Sequence, residues 1–239
     1  AGGTIRYTTN GATPTAGSSK YTGPITISGS QTVRAITLAD GLIASEETVA
    51  TYILGKEHSL PVVCLSMTQS DLNTVFSSTR SNKREREGYV EYYEADGTLG
   101  VRFPAGFRLA GAGTISAPQR SINLYLRGGY GRSSVTYPFF EGYDITTFKS
   151  LSLRNMGAWQ DPTRLKDVFV SMAANGLNVD NAQTKFVVVY INGQYWGLYE
   201  LKENQNEDYY AARYGVDRDT VVMIRGNKYD VQTGRTDRD

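Results

Sequence analysis

The chain has 239 residues, 40% of them hydrophobic and 21% charged, with a formal net charge of +1. That is the composition of an ordinary globular chain of one or two domains, and it supplies no field that would draw the protein to nucleic acid or an anionic membrane. One cysteine and one histidine exclude an internal disulfide, a thiolate metal cluster, a multi-histidine metal site and an HExxH helix.

Charge divides the chain near Leu54. Residues 1–54 hold six charged residues and eleven threonines, a composition suited to short, half-exposed strands. Strands are expected at Thr4–Thr8, Tyr21–Ile27 (an edge strand, because it contains Gly23-Pro24), Thr32–Thr37 and Thr48–Leu54. Asn10-Gly11 and Asp40-Gly41 supply turns between them. The spacing, with no helix between, predicts a β-sandwich piece over 1–54, followed by a polar linker over 55–59. His58 lies in that linker, so a Ser-His-Asp arrangement would have to recruit it from there.

From residue 60 the pattern alternates strands and helices. Val62–Ser66 reads as a strand in which Cys64 is a buried small hydrophobe. Thr68 caps a short helix through Phe76, with Asp71 in its first turn. The run Lys83–Glu87 carries both signs of charge and reads as a solvated loop. Val90–Tyr93, Asp96-Gly97 and Val101–Leu109 form a hairpin, and Arg120–Leu126 another strand. A second helix starts at Asp161-Pro162, places Leu165, Val168, Phe169, Met172 and Ala173 on one core-facing side, and ends at Asn175-Gly176. The strongest hairpin signal is Phe186–Ile191, Asn192-Gly193 and Gln194–Leu201. A third helix spans Glu207–Tyr214 with Gly215 as its stop, and Thr220–Ile224 adds a strand. No apolar run approaches the roughly 20 residues that span a bilayer.

Two glycine-rich stretches bear on phosphate chemistry. Arg127–Arg132 lacks the Lys-Ser/Thr of a Walker loop and is expected to turn a hairpin. Gly111-Ala112-Gly113-Thr114-Ile115-Ser116 precedes the strand opened by Arg120, which shares its side with Ile122, Leu124 and Leu126. Arg120 could therefore reach a phosphate in a cleft, or snorkel outward at a strand end. Glu203 has the parity of Tyr199 and Leu201, and either orients Arg120, as a kinase glutamate orients its lysine, or is a surface carboxylate.

Residues Ile5–Gly11, Pro14, Tyr21–Ile25 and Val33–Ala35 resemble the small immunoglobulin-like module at the C-terminus of chitobiase and β-hexosaminidase enzymes. That module usually has strands before this point, so the chain is expected to begin inside it. Val189–Tyr199 followed by Glu203 resembles the signature of the CotH family, the spore-coat-protein-H-like kinases. Supporting matches are Leu60–Val63, Gly111, Pro118–Ser121, Leu153–Asn155 and Lys166-Asp167. The resemblance implies a fold class of α+β, a partial immunoglobulin-like β-sandwich (1–54) followed by part of an atypical protein-kinase-like domain (60–239). It also implies ATP with Mg2+ or Mn2+, transfer of phosphate to an extracellular protein, and a bacterial, secreted or cell-surface, multidomain parent. Within it Gly111, Gly113, Ser116, Arg120 and Glu203 would bind the nucleotide. Arg120 stands where the family commonly has lysine, and the family's metal-binding and catalytic aspartates are expected beyond this chain. The alternative is a non-catalytic surface, adhesion or carbohydrate-associated protein on a kinase-like scaffold, in which Trp159 and Trp196 could stack on sugars.

Overall fold

The computed structural model describes residues 2–111, 114–155, 163, 165–225 and 230–233. Over these residues the protein is mostly β-sheet with three helices. The first unit is one antiparallel sheet in the order β2-β1-β3-β4, made of β1 (Thr4–Thr8), β2 (Ser19–Lys20), β3 (Gln31–Leu38) and β4 (Thr48–Tyr52). The expected edge strand over Tyr21–Ile27 is replaced by the two-residue β2. Tyr21 makes one further bond, to the Ile5 carbonyl, and the pairing ends before Gly23-Pro24, where proline has no N–H to give a ladder. Such a small sheet has little core, and a buried ion pair ties it together. The Arg34 fork donates to both Glu47 carboxylate oxygens and to the Gly11 carbonyl.

The second unit is a closed seven-stranded barrel. Its elements run β5 (Val62–Ser66), α1 (Gln69–Phe76), β6 (Glu85–Tyr93), β7 (Leu99–Leu109), β8 (Ile122–Tyr125), β9 (Val135–Thr136), β10 (Thr147–Phe148), β11 (Ser150–Arg154), α2 (Lys166–Ala174), β12 (Thr184–Ile191), β13 (Gln194–Glu203), α3 (Glu207–Tyr214), β14 (Met223–Arg225) and β15 (Asp230–Thr233). The barrel order is β11-β13-β12-β5-β6-β7-β8, closed by β8 against β11. Every pairing is antiparallel except β5 with β12. Strand alternation turns Val63, Leu65, Val90, Phe103, Phe107, Leu124, Leu153, Val189, Tyr199 and Leu201 into one interior core. On the outside of β5 and β12, Cys64 and Tyr190 belong to a second buried cluster roofed by Ile53 and Leu60. Burial pushes the Cys64 thiol up, as an inert packing residue requires.

The local signals that carry their own geometry are found where the sequence places them. Thr68 Oγ1 accepts from Asp71 N and caps α1. Asn192 (φ 50°) and Gly193 (φ 79°) form the turn between β12 and β13, and Gly215 ends α3 in the left-handed region. Other expectations are corrected. Glu85–Glu87 belong to β6, because pairing with β7 and the contact of Glu85 with Arg127 place this charged stretch on a ladder. The 127–132 stretch forms a 3-10 turn that carries the chain out of the barrel to the separate β9–β10 pair, and so closes no hairpin. A 3-10 turn over Arg218–Thr220 delays the last expected strand to β14. Asp161-Pro162, the expected start of the second helix, and Trp159 lie outside the described residues. On α2 only Val168 and Ser171 are buried, whereas Leu165, Phe169 and Met172 are exposed. The packed face is rotated by roughly a quarter turn from the apolar stripe, given about 100° per residue.

The two units touch through polar contacts. Glu91 on β6, 1% exposed, accepts from Thr51 Oγ1 (2.6 Å) and from Tyr93 Oη (2.9 Å). Arg102 donates to the Val49 carbonyl at 3.0 Å. The β12–β13 turn lies so close to the first sheet that a Cβ on Gly193 would sit 2.3 Å from the Gln31 Cα. Among the described residues no helix is long and apolar enough to cross a membrane.

Candidate functional site

Strand β13 ends at a rim of the barrel where its two faces carry different chemistry. The inner parity of Tyr199 and Leu201 continues to Glu203, which is buried. Its carboxylate accepts from Tyr143 Oη at 3.1 Å and from Gln183 N at 2.8 Å. Burial holds the Glu203 pKa above the usual carboxylate value, and those two hydrogen bonds with the charge of Arg213 pull it part of the way back. Burial and the neighbouring Glu203 in turn push the Tyr143 phenol up to about 12. A cavity of about 390 Å3 opens beside Glu203, lined also by Phe148, Ser150, Asn204, Asn206 and Tyr209. The side-chain amides of Asn204 and Asn206 both donate to Ser150 Oγ.

The outer face of β13 presents Glu200 and Lys202. Glu200 is fully buried on the barrel wall. Its Oε1 accepts from Thr184 Oγ1 at 2.7 Å and lies 3.6 Å from Lys202 Nζ. Its Oε2 lies 3.8 Å from Arg154 Nε and accepts no hydrogen bond. Arg154 also pairs with Asp167 of α2 at 2.9 Å. A buried carboxylate persists only with compensating cations, and Arg154 and Lys202 hold that place. Both line a second cleft of about 470 Å3 with Ser152, Tyr210, Met223 and Ile224. The two clefts share Glu203, Asn204 and Asn206, so one short rim separates an inner hydrogen-bonding cavity from an outer cationic one.

The sequence-named residues fall in two places. Arg120 precedes β8, and its guanidinium donates to the carbonyls of Phe76 and Ala117 and lies over the Phe76 ring. It therefore ties the loop before β8 to the end of α1. Through the shared partner β11, Arg120 is level with Tyr199, whose hydroxyl donates to the Arg120 carbonyl. Glu203 is four positions further along β13, roughly 13 Å at about 3.3 Å per residue. The expectation that Glu203 orients Arg120 is thus corrected, since the carboxylate bonds Tyr143 and Gln183 instead. Gly111, with φ of 83°, and the exposed Ser116 lie on the Arg120 side, and Gly113 lies outside the described residues.

The scattered motif matches are brought together more closely. Arg154 meets Asp167. Asn155 N donates to Ser121 Oγ, its side-chain amide donates to the Gln119 carbonyl, and Gln119 Nε2 donates to the Leu198 carbonyl. Glu200 and Lys202 were not singled out from sequence. Their parity reads as the wet face of a strand, and the elements that bury Glu200 there come from distant sequence. Trp196 packs against Phe76 at 5.5 Å between ring centroids. Among the described residues no group of three His, Cys, Asp or Glu side chains is placed to hold a metal ion.

Residues 1–51 match the chitobiase/beta-hexosaminidase C-terminal domain, and residues 107–239 match a family described as CotH kinase protein. No curated protein matches the chain.

Proposed function

Because the chain belongs to the CotH kinase protein family, we propose that it supplies the nucleotide-binding part of an extracellular or cell-surface phosphotransferase. The donor is ATP with Mg2+ or Mn2+, and the acceptor is a hydroxyl on an extracellular protein. The observation that carries this reading is the rim at Glu203–Asn206, with a polar cavity on one side and the Arg154–Lys202 pair on the other. Phosphoryl transfer is chiefly positioning and charge neutralisation, which cations fixed on a rigid strand provide. Lys202 and Arg154 would hold phosphate oxygens, with Glu200 keeping both side chains oriented while α2 anchors Arg154 through Asp167. A divalent cation, when bound, would neutralise negative charge on the phosphates. The described residues hold no three-ligand set for it, and no ligand is assigned to it.

Calorimetric titration of ATP tests the cationic half of the site. Lys202→Ala and Arg154→Ala should each weaken binding by about 10-fold or more, as loss of a charged hydrogen bond costs about 1.5–3 kcal/mol. Binding by the double variant at the wild-type level would overturn the assignment.

One observation favours a second reading, a kinase-like scaffold in a non-catalytic surface or carbohydrate-associated protein. Arg120, which stands where the family commonly has lysine, is bonded to two backbone carbonyls. Transfer of radiolabelled γ-phosphate to a protein acceptor separates the two readings, and a glycan array tests the carbohydrate association.

A further inference from the structure

Lys185 has the parity of Val187 and Val189, so its stem follows the barrel core at the start of β12. Its Nζ donates to Tyr92 Oη and to the Phe139 carbonyl, each at 2.9 Å. Tyr92 Oη in turn donates to Glu94, which also accepts from Tyr137 Oη. No described carboxylate forms an ion pair with Lys185. An ammonium would carry a third N–H with no acceptor among the described residues. A neutral amine has two, and both are placed. Burial draws the Lys185 pKa below the ordinary lysine value, more than the charges of Glu94 and Glu141 raise it. The lone pair of that amine is left without a partner among the described residues.

Lys185 lines a cleft of about 520 Å3 with Glu94, Phe140, Glu141, Tyr143 and Asp144, within the usual range for small-molecule sites, about 300–1,000 Å3. Glu141 and Asp144 form no hydrogen bond or ion pair with described residues, so their oxygens are free to accept from hydroxyls. A free amine lone pair beside hydroxyl acceptors complements an aldehyde that carries hydroxyls. We propose that Lys185 is a covalent capture site for a small neutral hydroxyaldehyde, the open-chain form of a reducing sugar, held as an imine. The Lys185 nitrogen attacks the carbonyl carbon, forming a C–N bond, while the carbonyl π pair moves onto oxygen. One amine hydrogen passes to that oxygen. The C–O bond then breaks, and the second amine hydrogen leaves with it as water, so that C=N remains. No oxidant, reductant or further reactant is consumed. The carboxylates of Glu94, Glu141 and Asp144 disfavour anionic aldehydes through like-charge repulsion. The cleft shares no residue with the one that Arg154 and Lys202 line, and the proposal is independent of the nucleotide reading.

Treatment of the whole chain with glycolaldehyde and cyanoborohydride, followed by peptide mass spectrometry, tests it, because the reductant fixes an imine as a stable amine. In wild type at about pH 7, Lys185 should be labelled at least about 10-fold faster than the exposed Lys20 and Lys56, since a desolvated amine is the better nucleophile. An ordinary lysine loses free amine about 10-fold per pH unit below its pKa. Lowering the pH from about 9 to about 7 should therefore slow Lys20 by about 100-fold and Lys185 by less. Glyoxylate, an anionic aldehyde, should label Lys185 about 10-fold more slowly than glycolaldehyde does, with Lys20 as the internal reference, a repulsion of about 1.4 kcal/mol. Glu141→Gln, a change at an exposed carboxylate, should narrow that difference. Labelling of Lys185 no faster than that of Lys20, parallel pH profiles for the two, or equal labelling by the two aldehydes overturns the inference.

Discussion

Burial resists ionisation of Glu203, which fixes the sign of its effect on stability. Its folded pKa lies above the ordinary carboxyl value of 4.5, so the folded state holds this proton more tightly than the unfolded chain does. Its contribution to stability is most favourable below the ordinary value and declines as pH rises through the raised one. Relative to Glu203→Gln, wild type should lose stability over that window, read as the difference in urea midpoints across about pH 4–8. A pH-independent difference would refute it. The inward parity of Glu203 was legible in the sequence, because alternation along β13 is a local property. Its partners were not, since Tyr143 and Gln183 come from loops whose approach depends on closure of the barrel. For Arg120 the strand-end position was legible, but not the competition from the Phe76 and Ala117 carbonyls for its guanidinium.

The elements most clearly written in the sequence are those with a cap or turn of their own. The Thr68 cap of α1 is one, and Thr68→Ala should cost about 1 kcal/mol in chemical denaturation. The Asn192-Gly193 turn is another, but it also illustrates what pattern alone leaves out. Gly193 is required by its positive φ and also by the Gln31 backbone lying against it. Helix α2 shows the opposite case, where periodicity announces an apolar stripe and packing uses a different side. Val168→Ala should therefore cost about 1–3 kcal/mol, whereas Phe169→Ser should stay within about 0.5 kcal/mol, with thermal unfolding as the measure. The contrary order would mean that the stripe faces the core.

At the scale of the molecule, the boundary near Leu54 separates two family matches but not two independent bodies. Glu91 is buried on the barrel, yet one of its two hydrogen-bond donors, Thr51, belongs to the first sheet. Thr51→Val removes that donor without changing the shape, leaving a buried carboxylate short of a partner at a cost of about 1–3 kcal/mol. Wild type is expected to unfold in one transition, and Thr51→Val should split it in two, with the first sheet melting earlier. A variant that still melts in one transition at the wild-type midpoint would show that this contact does not couple the units. Charge density located the boundary in the sequence. It did not reveal the coupling across it, because Glu91 alternates with apolar neighbours as any outward strand residue does.

The one parallel pairing, β5 with β12, has a consequence for the order of assembly. Val62 must wait for Val188 before its second edge is covered, and the same β12–β13 hairpin also supplies the only strand between β12 and β11. Until that hairpin emerges from the ribosome, β5 and β11 remain open edges able to recruit another chain. Closure is then a late, non-local event with a large loop-entropy cost, the kind of step that slows folding and favours chaperone engagement. Folding of nascent chains should change abruptly, from protease-sensitive to protected, once the residues through Glu203 have emerged from the ribosome.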